Sequence, residues 1–286
     1  MSQPRFVPAL NPATAGGDLP VTEYLALAAA TGYEWIELDS RQAPQLFALG
    51  AQRASQLLRE HRLRIASFFL PVNWRGEDAR FEQGLEPFAA LVPFFAALGV
   101  DRCCTYLFPN QPTTPEESRC RIGRRFHSVD KILARSGLRF GLEFLGPAHF
   151  LLDPGYTFLY WMQDMLAFAE SISPNVGILV DSLHWHCQGA DRAALASIPK
   201  GRIIYAHIDD APPGPLSAQR DDDRLLPGEG VIDLAGFVQS LTAAGYAGPI
   251  GIEIDGPYLR QEPPERAARR ARSAWDALFS RPELAA

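Results

Sequence analysis

The stretch ILVDSLHWHCQG, residues 178–189, begins as an apolar run and ends in closely spaced polar side chains. Its first residues are typical of a strand that is buried on both faces. The apolar run is followed within nine residues by Asp181, His184, His186 and Cys187. A buried carboxylate loses its charge unless it is paired with a cation or coordinates a metal. The stretch therefore predicts either a metal site or a polar rim at the point where a buried strand ends.

The same alternation continues outward from this stretch in both directions. Short β-branched or aromatic runs alternate with longer segments that are rich in alanine and leucine. We predict strands at residues 5–10, 35–39, 64–70, 101–108, 139–145, 176–181, 202–209 and 249–255. Each strand is followed by a predicted helical segment, for example 48–61 after the second strand and 156–172 after the fifth.

Eight such units in a chain of 286 residues predict a (β/α)8 TIM barrel, an α/β fold in which residues 1–286 form a single domain. The predicted strands are apolar on both faces, as buried parallel strands are. The alternative is an open doubly wound sheet, which would carry a Gly-rich phosphate loop after its first strand. Residues 9–18, ALNPATAGGD, do not match GxGxxG, so the barrel is favoured.

The composition of the chain limits the binding partners and the cellular compartment that we expect for this protein. A formal net charge of −6 argues against general nucleic-acid binding, which usually requires a basic surface. The four cysteines form no CxxC pair, which fits a reducing compartment. We see neither a signal peptide nor an apolar run long enough to span a bilayer. We therefore expect a cytoplasmic protein with a small-molecule substrate and no nucleic-acid or membrane partner; a homo-oligomer is compatible with the sequence.

Polar residues stand at the C-terminal ends of the last four predicted strands. In a TIM barrel these ends meet at one mouth, which is where active sites lie. Glu143, Asp181, His207 and Glu253 each fall inside or at the end of an apolar run. Three carboxylates in one place repel one another, and burial without a cation would neutralise them. Three oxygen donors and one imidazole suit Mn²⁺, Mg²⁺, Co²⁺ or Zn²⁺, with positions left open for substrate oxygens.

Several motifs in the second half of the chain resemble those of the xylose isomerase-like TIM barrel superfamily, in particular its sugar phosphate isomerase/epimerase and inosose-catabolism members. The motifs are GLEF (141–144), VDSLH (180–184), AHIDD (206–210), LLPGEGVID (225–233) and GYAGPIGIEI (245–254). They cover roughly residues 139–255, while the first half shares only the alternation of strands and helices. The resemblance implies one divalent metal ion held by Glu143, Asp181, His207 and Glu253. It also implies that His184 contacts a substrate oxygen or a second metal.

The expected activity is that of a metal-dependent isomerase or epimerase acting on a keto-sugar or a polyol-derived ketone. A metal that binds the carbonyl and hydroxyl oxygens of an α-hydroxyketone stabilises the enediolate formed when a C–H proton is lost. Glu143 and Glu253 are the candidate catalytic residues that remove and return this proton. Return to the other face gives epimerisation, and return to the neighbouring carbon gives isomerisation.

The sequence also leaves three other functions as alternatives. A lyase that dehydrates an inosose or a 3-dehydroshikimate-like ketone would use the same site. An endonuclease IV-like DNA repair enzyme shares the barrel but holds three zinc ions with additional histidines from early strands. The stretches IASFFL (65–70) and CCTYLFPN (103–110) offer no such histidines. A non-catalytic barrel is disfavoured because all four candidate ligands are present.

Two further residues are candidates for substrate binding. Asp209 lies two residues after His207 and therefore on the same strand face, where it is expected to bond a ligand or the substrate. Arg224, in the run DDDRLLPGEG (221–230), is expected to meet a substrate hydroxyl, carboxylate or phosphate. Similar proteins place an arginine closer behind the metal-binding histidine, where this chain has PPGP (212–215).

The remaining expectations concern the rim of the mouth. Phe69, Trp74 and Phe108 are expected to form the apolar wall of a sugar-sized pocket. Glu37 faces the same mouth, but the sequence does not separate a functional from a structural role. We expect His186 to line the mouth or the surface and Cys187 to contribute packing only.

Overall fold

The computed structural model describes residues 6–152, 154–256, 259 and 261–284. Eight parallel strands form a closed barrel in the order β1-β2-β3-β4-β6-β8-β9-β10, which confirms the predicted (β/α)8 fold. The barrel strands are β1 (Phe6–Leu10), β2 (Trp35–Leu38), β3 (Arg64–Phe69), β4 (Arg102–Leu107), β6 (Arg139–Phe144), β8 (Val176–Asp181), β9 (Ile203–Ile208) and β10 (Gly248–Ile252). The short strands β5 (Asn110–Gln111) and β7 (Tyr156–Thr157) form a separate antiparallel pair.

Helices connect the strands and surround the barrel. They are α1 (Val21–Ala30), α2 (Gln42–Ala48), α3 (Ala51–His61), α4 (Asp78–Ala97), α5 (Pro115–Ala134), α6 (Met162–Ile172), α7 (Ser182–Cys187), α8 (Arg192–Ala196), α9 (Leu234–Ala243) and α10 (Pro264–Phe279). Their apolar faces pack against the outer face of the strands in one large buried cluster. In the part of the chain that the structure describes, no helix combines the length and the apolarity needed to cross a membrane.

Two predicted helices differ from the structure. The segment 48–61 is divided at Gly50, whose φ of 78° is a conformation that glycine adopts without strain. The segment 156–172 is helical only from Met162, because residues 156–157 pair with residues 110–111 in β5. Both differences lie in connections, so the barrel itself is unaffected.

The interior of the barrel determines where the functional side chains lie. A small apolar layer fills it, formed by Ala9, Ala66, Cys104, Leu179 and Tyr205. Side chains two residues apart in a strand share a face. The residues that follow Ala9, Cys104, Leu179 and Tyr205 by two positions therefore lie above this layer, toward the C-terminal mouth. They are Asn11, Tyr106, Asp181 and His207.

Candidate active site

Four polar side chains meet at the C-terminal mouth of the barrel. Glu143 belongs to β6, Asp181 ends β8, His207 belongs to β9, and Glu253 directly follows β10. Each residue offers one possible ligand atom, and these four atoms all lie within 4.8 Å of one another. Glu143, Asp181 and His207 are buried, and Glu253 is half-buried. The structure thus brings together the four residues that the sequence analysis selected as metal ligands.

The donor atoms of this metal cluster (Glu143, Asp181, His207 and Glu253) fit a single divalent ion. Ligand atoms about 2.0–2.2 Å from one ion lie no more than roughly 4.4 Å apart, which is close to the observed spacing. Glu143 Oε1 and His207 Nδ1 are buried without a hydrogen-bond partner among the described residues. His207 Nδ1 lies 3.6 Å from Glu143 Oε1 and 3.0 Å from Glu253 Oε2. Buried polar atoms without partners are rare in native folds, and a shared cation would satisfy both of them.

Another carboxylate sets the orientation of the His207 ring. Glu37, in β2, places Oε2 3.0 Å from His207 Nε2. A proton on Nε2 satisfies this contact and leaves the lone pair of Nδ1 free to bind a metal. Asn11 donates from Nδ2 to Glu37 Oε2 over 3.2 Å and to Glu253 Oε1 over 3.1 Å. Gly251 leaves the space that this arrangement needs, because a Cβ there would lie 1.8 Å from Glu37 Oε1.

Arg224 bridges the acidic side of the metal cluster. Its side chain is 3% exposed, and its Nη1 lies 2.8 Å from Asp181 Oδ2 and 2.6 Å from Asp209 Oδ2. The same Nη1 is 3.3 Å from Glu253 Oε2, and Nη2 is 2.8 Å from Asp221 Oδ1. Burial alone would lower the pKa of Arg224, but these four carboxylates raise it well above its ordinary value. Arg224 is therefore charged and balances part of the negative charge, while its contact with substrate stays a prediction.

Asp209 is fully buried, and both of its carboxylate oxygens accept hydrogen bonds. Oδ1 accepts from the Ser182 hydroxyl and, over 3.0 Å, from the Leu183 amide. Oδ2 accepts from Arg224 Nη1. This geometry favours a role in holding Arg224; the substrate contact expected from the sequence stays a prediction.

His184 faces the metal cluster from the first turn of α7. Asp181 is the N-cap of that helix, and its Oδ1 accepts a 3.0 Å hydrogen bond from the His184 amide. His184 Nε2 lies 3.8 Å from Glu143 Oε1 and 3.7 Å from Asp221 Oδ1. Neither ring nitrogen has a hydrogen-bond partner among the described residues, although the ring is buried. A ring placed in this way has donor and acceptor capacity available for a bound substrate oxygen.

His186 and Cys187, which also lie in the stretch 178–189, contribute no ligand atom to the metal cluster. His186 is half-buried, and burial lowers the pKa of its imidazole. Cys187 is buried, and burial raises the pKa of its thiol to about 12. Burial thus disfavours the thiolate form of Cys187, and the expectation that this residue contributes packing only stays a prediction.

The two glutamates of the metal cluster have pKa values shifted in opposite directions. Burial raises the pKa of Glu143 above its ordinary value. Burial would also raise the pKa of Glu253, but the neighbouring His207 and Arg224 lower it well below its ordinary value. The surroundings of the two carboxyl groups therefore favour different charge states before a metal ion binds.

Aromatic rings form one side of the mouth. The ring of Phe69, at the end of β3, stacks 6.5 Å from the His207 ring. Tyr106 lies beside Glu143 in the register of β4 and β6. Its ring centroid is 6.3 Å from that of Phe69 and 5.3 Å from that of Phe108. Together, the rings of Phe69, Tyr106 and Phe108 form an aromatic wall.

Sequence reasoning missed some of these residues and misplaced another. Asn11 directly follows the first strand. The metal cluster was found by searching for polar residues at the C-terminal ends of strands, and the same search applied to the first strand would have found Asn11. Asp221 and Tyr106 were not selected, and no spacing rule separates Asp221 from its acidic neighbours. Trp74, expected in the wall of the pocket, is instead buried, and its Nε1 donates to Thr105 Oγ1 over 3.1 Å.

Comparison with known proteins identifies the family. Residues 25–278 match the family model of the xylose isomerase-like TIM barrel. The chain therefore belongs to the xylose isomerase-like TIM barrel family, as its motifs predict.

Relatives and solved structures agree with this placement. The inosose isomerase of Bacillus velezensis is 22% identical over 275 residues, which is 95% of this chain and 96% of that protein. A xylose isomerase domain protein from Alicyclobacillus acidocaldarius superposes with a TM-score of 0.88 at 30% identity, covering 96% of this chain and 98% of that chain. The crystal structure of the IOLI protein, which holds a zinc atom, gives a TM-score of 0.80 at 22% identity, covering 96% and 98% of the two chains.

Proposed function

We propose that this protein is a divalent-metal-dependent isomerase or epimerase of a keto-sugar or a polyol-derived ketone. The observation that carries the proposal is the convergence of three carboxylates and one imidazole from four barrel strands to within 4.8 Å. The similarity to an inosose isomerase supports a polyhydroxylated ketone as the class of substrate. The IOLI protein, which has a similar fold, holds a zinc atom, and this supports a metal ion as part of the proposed function.

Glu143 and Glu253 are the proposed acid–base pair. Glu143 lies in β6 and Glu253 directly follows β10, two strands that are not adjacent in the barrel, and the proposal places the reacting C–H bond of the substrate between the two carboxylates. One glutamate removes the proton next to the ketone, and a proton is then returned either to the other face or to the neighbouring carbon. When bound, a divalent ion supplies positive charge, which stabilises the negative charge that develops on the ketone oxygen of the substrate.

His184 and Arg224 have supporting roles in this proposal. Neither ring nitrogen of His184, which lies beside Glu143, is hydrogen-bonded to a described residue, and this suits a hydrogen bond to a substrate hydroxyl or carbonyl. Arg224 holds Asp181 and Glu253 in place through its Nη1. Asp209 in turn holds Arg224, because its Oδ2 lies 2.6 Å from that same Nη1.

Solvent deuterium uptake tests the proposed proton transfer. A panel of ketoses and ring ketones is incubated in D₂O with protein loaded with Mn²⁺, Co²⁺ or Zn²⁺, and loss of the C–H signal is followed by proton NMR. We expect exchange next to the ketone in at least one compound. Glu143→Gln and Glu253→Gln should each slow this exchange by about 10²- to 10⁴-fold, because each removes one proton-transfer group.

An exposed glutamate provides the control. Glu86, on α4, is exposed, and Glu86→Gln should exchange at the wild-type rate. Absence of exchange in the whole panel, or undiminished exchange in Glu143→Gln, would refute the proposed function. An unsaturated product formed with loss of water would show that the same site catalyses dehydration instead.

A further inference from the structure

Among the described residues, one arginine at the mouth has no acidic partner. Four described arginines lie in loops that directly follow barrel strands: Arg41, Arg75, Arg220 and Arg224. Arg41, Arg220 and Arg224 each pair with at least one carboxylate. Arg75, in the loop after β3, lies within ion-pair distance of no carboxylate among the described residues. No carboxylate in the described part of the protein therefore balances its positive charge.

Arg75 is nevertheless held in a defined position. The guanidinium carbon lies 4.3 Å from the centroid of the Trp74 ring, 4.4 Å from that of Tyr106 and 5.5 Å from that of Phe108. Its Nη2 donates to the Tyr106 carbonyl over 2.9 Å. Such stacking restrains the guanidinium without consuming its donors. The other N–H groups of this exposed side chain make no hydrogen bond to a described residue, so they remain available to a ligand.

The aromatic wall connects Arg75 to the metal cluster. Tyr106, which the guanidinium covers, lies beside Glu143 in the strand register. The Tyr106 ring is in contact with Phe69, and the Phe69 ring stacks on His207. A substrate that lies along this wall with its ketone at the metal cluster therefore has its far end near Arg75.

We propose that Arg75 binds an acidic group, a carboxylate or a phosphate, on the part of the substrate remote from the reacting ketone. This inference rests on the proposed function and specifies its substrate class. A guanidinium with free N–H groups matches the paired oxygens of either acid. Asp181, Asp221 and Glu253 would repel an acidic group placed beside them, whereas Arg75 stands beside the neutral rings of the aromatic wall.

Calorimetric binding to the metal-loaded protein tests this proposal without requiring turnover. The probes are inorganic phosphate, D-fructose 6-phosphate, 5-keto-D-gluconate and the neutral D-fructose. At least one acidic probe should bind the wild type and lose about tenfold or more in affinity in Arg75→Met, because a hydrogen bond to a charged group is lost. Binding of D-fructose should be the same in both proteins. Loss confined to the phosphates identifies a phosphorylated substrate, and loss confined to the keto acid identifies a carboxylate.

Matched variants distinguish a specific contact from a general loss of charge. Arg220 is also exposed at the mouth but is neutralised by Asp222, so Arg220→Met should bind the acidic probes like the wild type. Arg75→Lys keeps the charge and should retain part of the affinity. Circular dichroism and thermal melting verify that Arg75→Met is folded.

Two results would overturn the proposal. One is that no acidic probe binds the wild type, and the other is that all of them bind Arg75→Met as tightly. If either result accompanies deuterium exchange with neutral ketones, the proposed function stands and only the acidic substrate class fails.

Discussion

At the scale of single residues, Glu37 determines which nitrogen of His207 is available to a metal. Its Oε2 lies 3.0 Å from His207 Nε2, and its side chain is 1% exposed. Burial raises the pKa of Glu37, although the adjacent His207 opposes that shift. A buried carboxylate hydrogen-bonded to a ligating imidazole fixes the tautomer of the ring and increases its basicity as a ligand. Glu37 is thus a positioning residue that acts through His207.

Replacement of Glu37 by glutamine should therefore weaken metal binding. The substitution preserves the size of the side chain but removes the negative charge that orients the His207 proton, so we expect affinity for Zn²⁺ or Mn²⁺ to fall about 10- to 100-fold. Isothermal titration calorimetry of the metal-free protein measures this affinity. Glu34→Gln, an exposed change just before β2, serves as the control. Equal affinity in Glu37→Gln and the wild type would show that this contact does not position the ligand.

At the scale of structural elements, the loop between β3 and α4 depends on a side chain from α5. Arg125 of α5 is 5% exposed. Its Nη1 donates to the Gly76 carbonyl over 2.8 Å and also to the Trp74 carbonyl. Its Nη2 pairs with Asp78 at the start of α4. Because Arg75 lies between these contacts, Arg125 holds in place the segment that presents it to the mouth.

Loss of this anchor should affect stability and binding together. In Arg125→Met the buried Trp74 carbonyl and the partly buried Gly76 carbonyl lose their donor, so the free energy of unfolding should fall by about 1–3 kcal/mol. Urea denaturation measures that change. Affinity for whichever acidic probe depends on Arg75 should also fall, whereas Arg124→Met, an exposed neighbour on the same helix, should change neither property. Unaltered affinity in a destabilised Arg125→Met would show that the loop keeps its conformation without the anchor.

At the scale of the whole molecule, the site exists only in the closed barrel. The metal cluster, Asn11 and Glu37 come from β1, β2, β6, β8, β9 and β10 or from the residues that directly follow them. Glu37 and His207 are separated by 170 positions in the chain, yet their side chains are in contact. An unfolded chain cannot present these ligands together, so metal binding is coupled to folding of the barrel.

A divalent ion should accordingly raise the melting temperature. At an ion concentration about 100 times Kd, binding to the folded state alone adds about 2.7 kcal/mol, which corresponds to a rise of roughly 5–10 °C for a domain of this size. Differential scanning calorimetry with and without EDTA measures the shift. Asp181→Asn, which removes one ligand charge, should show a much smaller metal-dependent rise. A melting temperature that is the same with metal and with EDTA would argue against a site formed by folding.

The barrel and the metal cluster were predictable because both leave local patterns. Glu143, Asp181, His207 and Glu253 interrupt apolar runs, and the alternation of strands and helices places their ends at one mouth. The pairing of Glu37 with His207 was not predictable, because it depends on barrel closure across the whole chain. The contacts of Arg224 depend on the path of the loop after β9, which no periodicity specifies. A single domain over residues 1–286, a cytoplasmic location and a homo-oligomer stay predictions.

The most direct test of the central claim is the metal content of the purified protein, measured by elemental analysis beside that of Glu253→Gln. The four-residue metal cluster predicts about one divalent ion per chain in the wild type. The ion should be lost or held more weakly in the variant, because one of its four ligands is replaced. About three zinc ions per chain would favour the endonuclease IV-like alternative. No metal, even after incubation with Mn²⁺, Co²⁺ or Zn²⁺, would contradict the metal site and the function proposed for it.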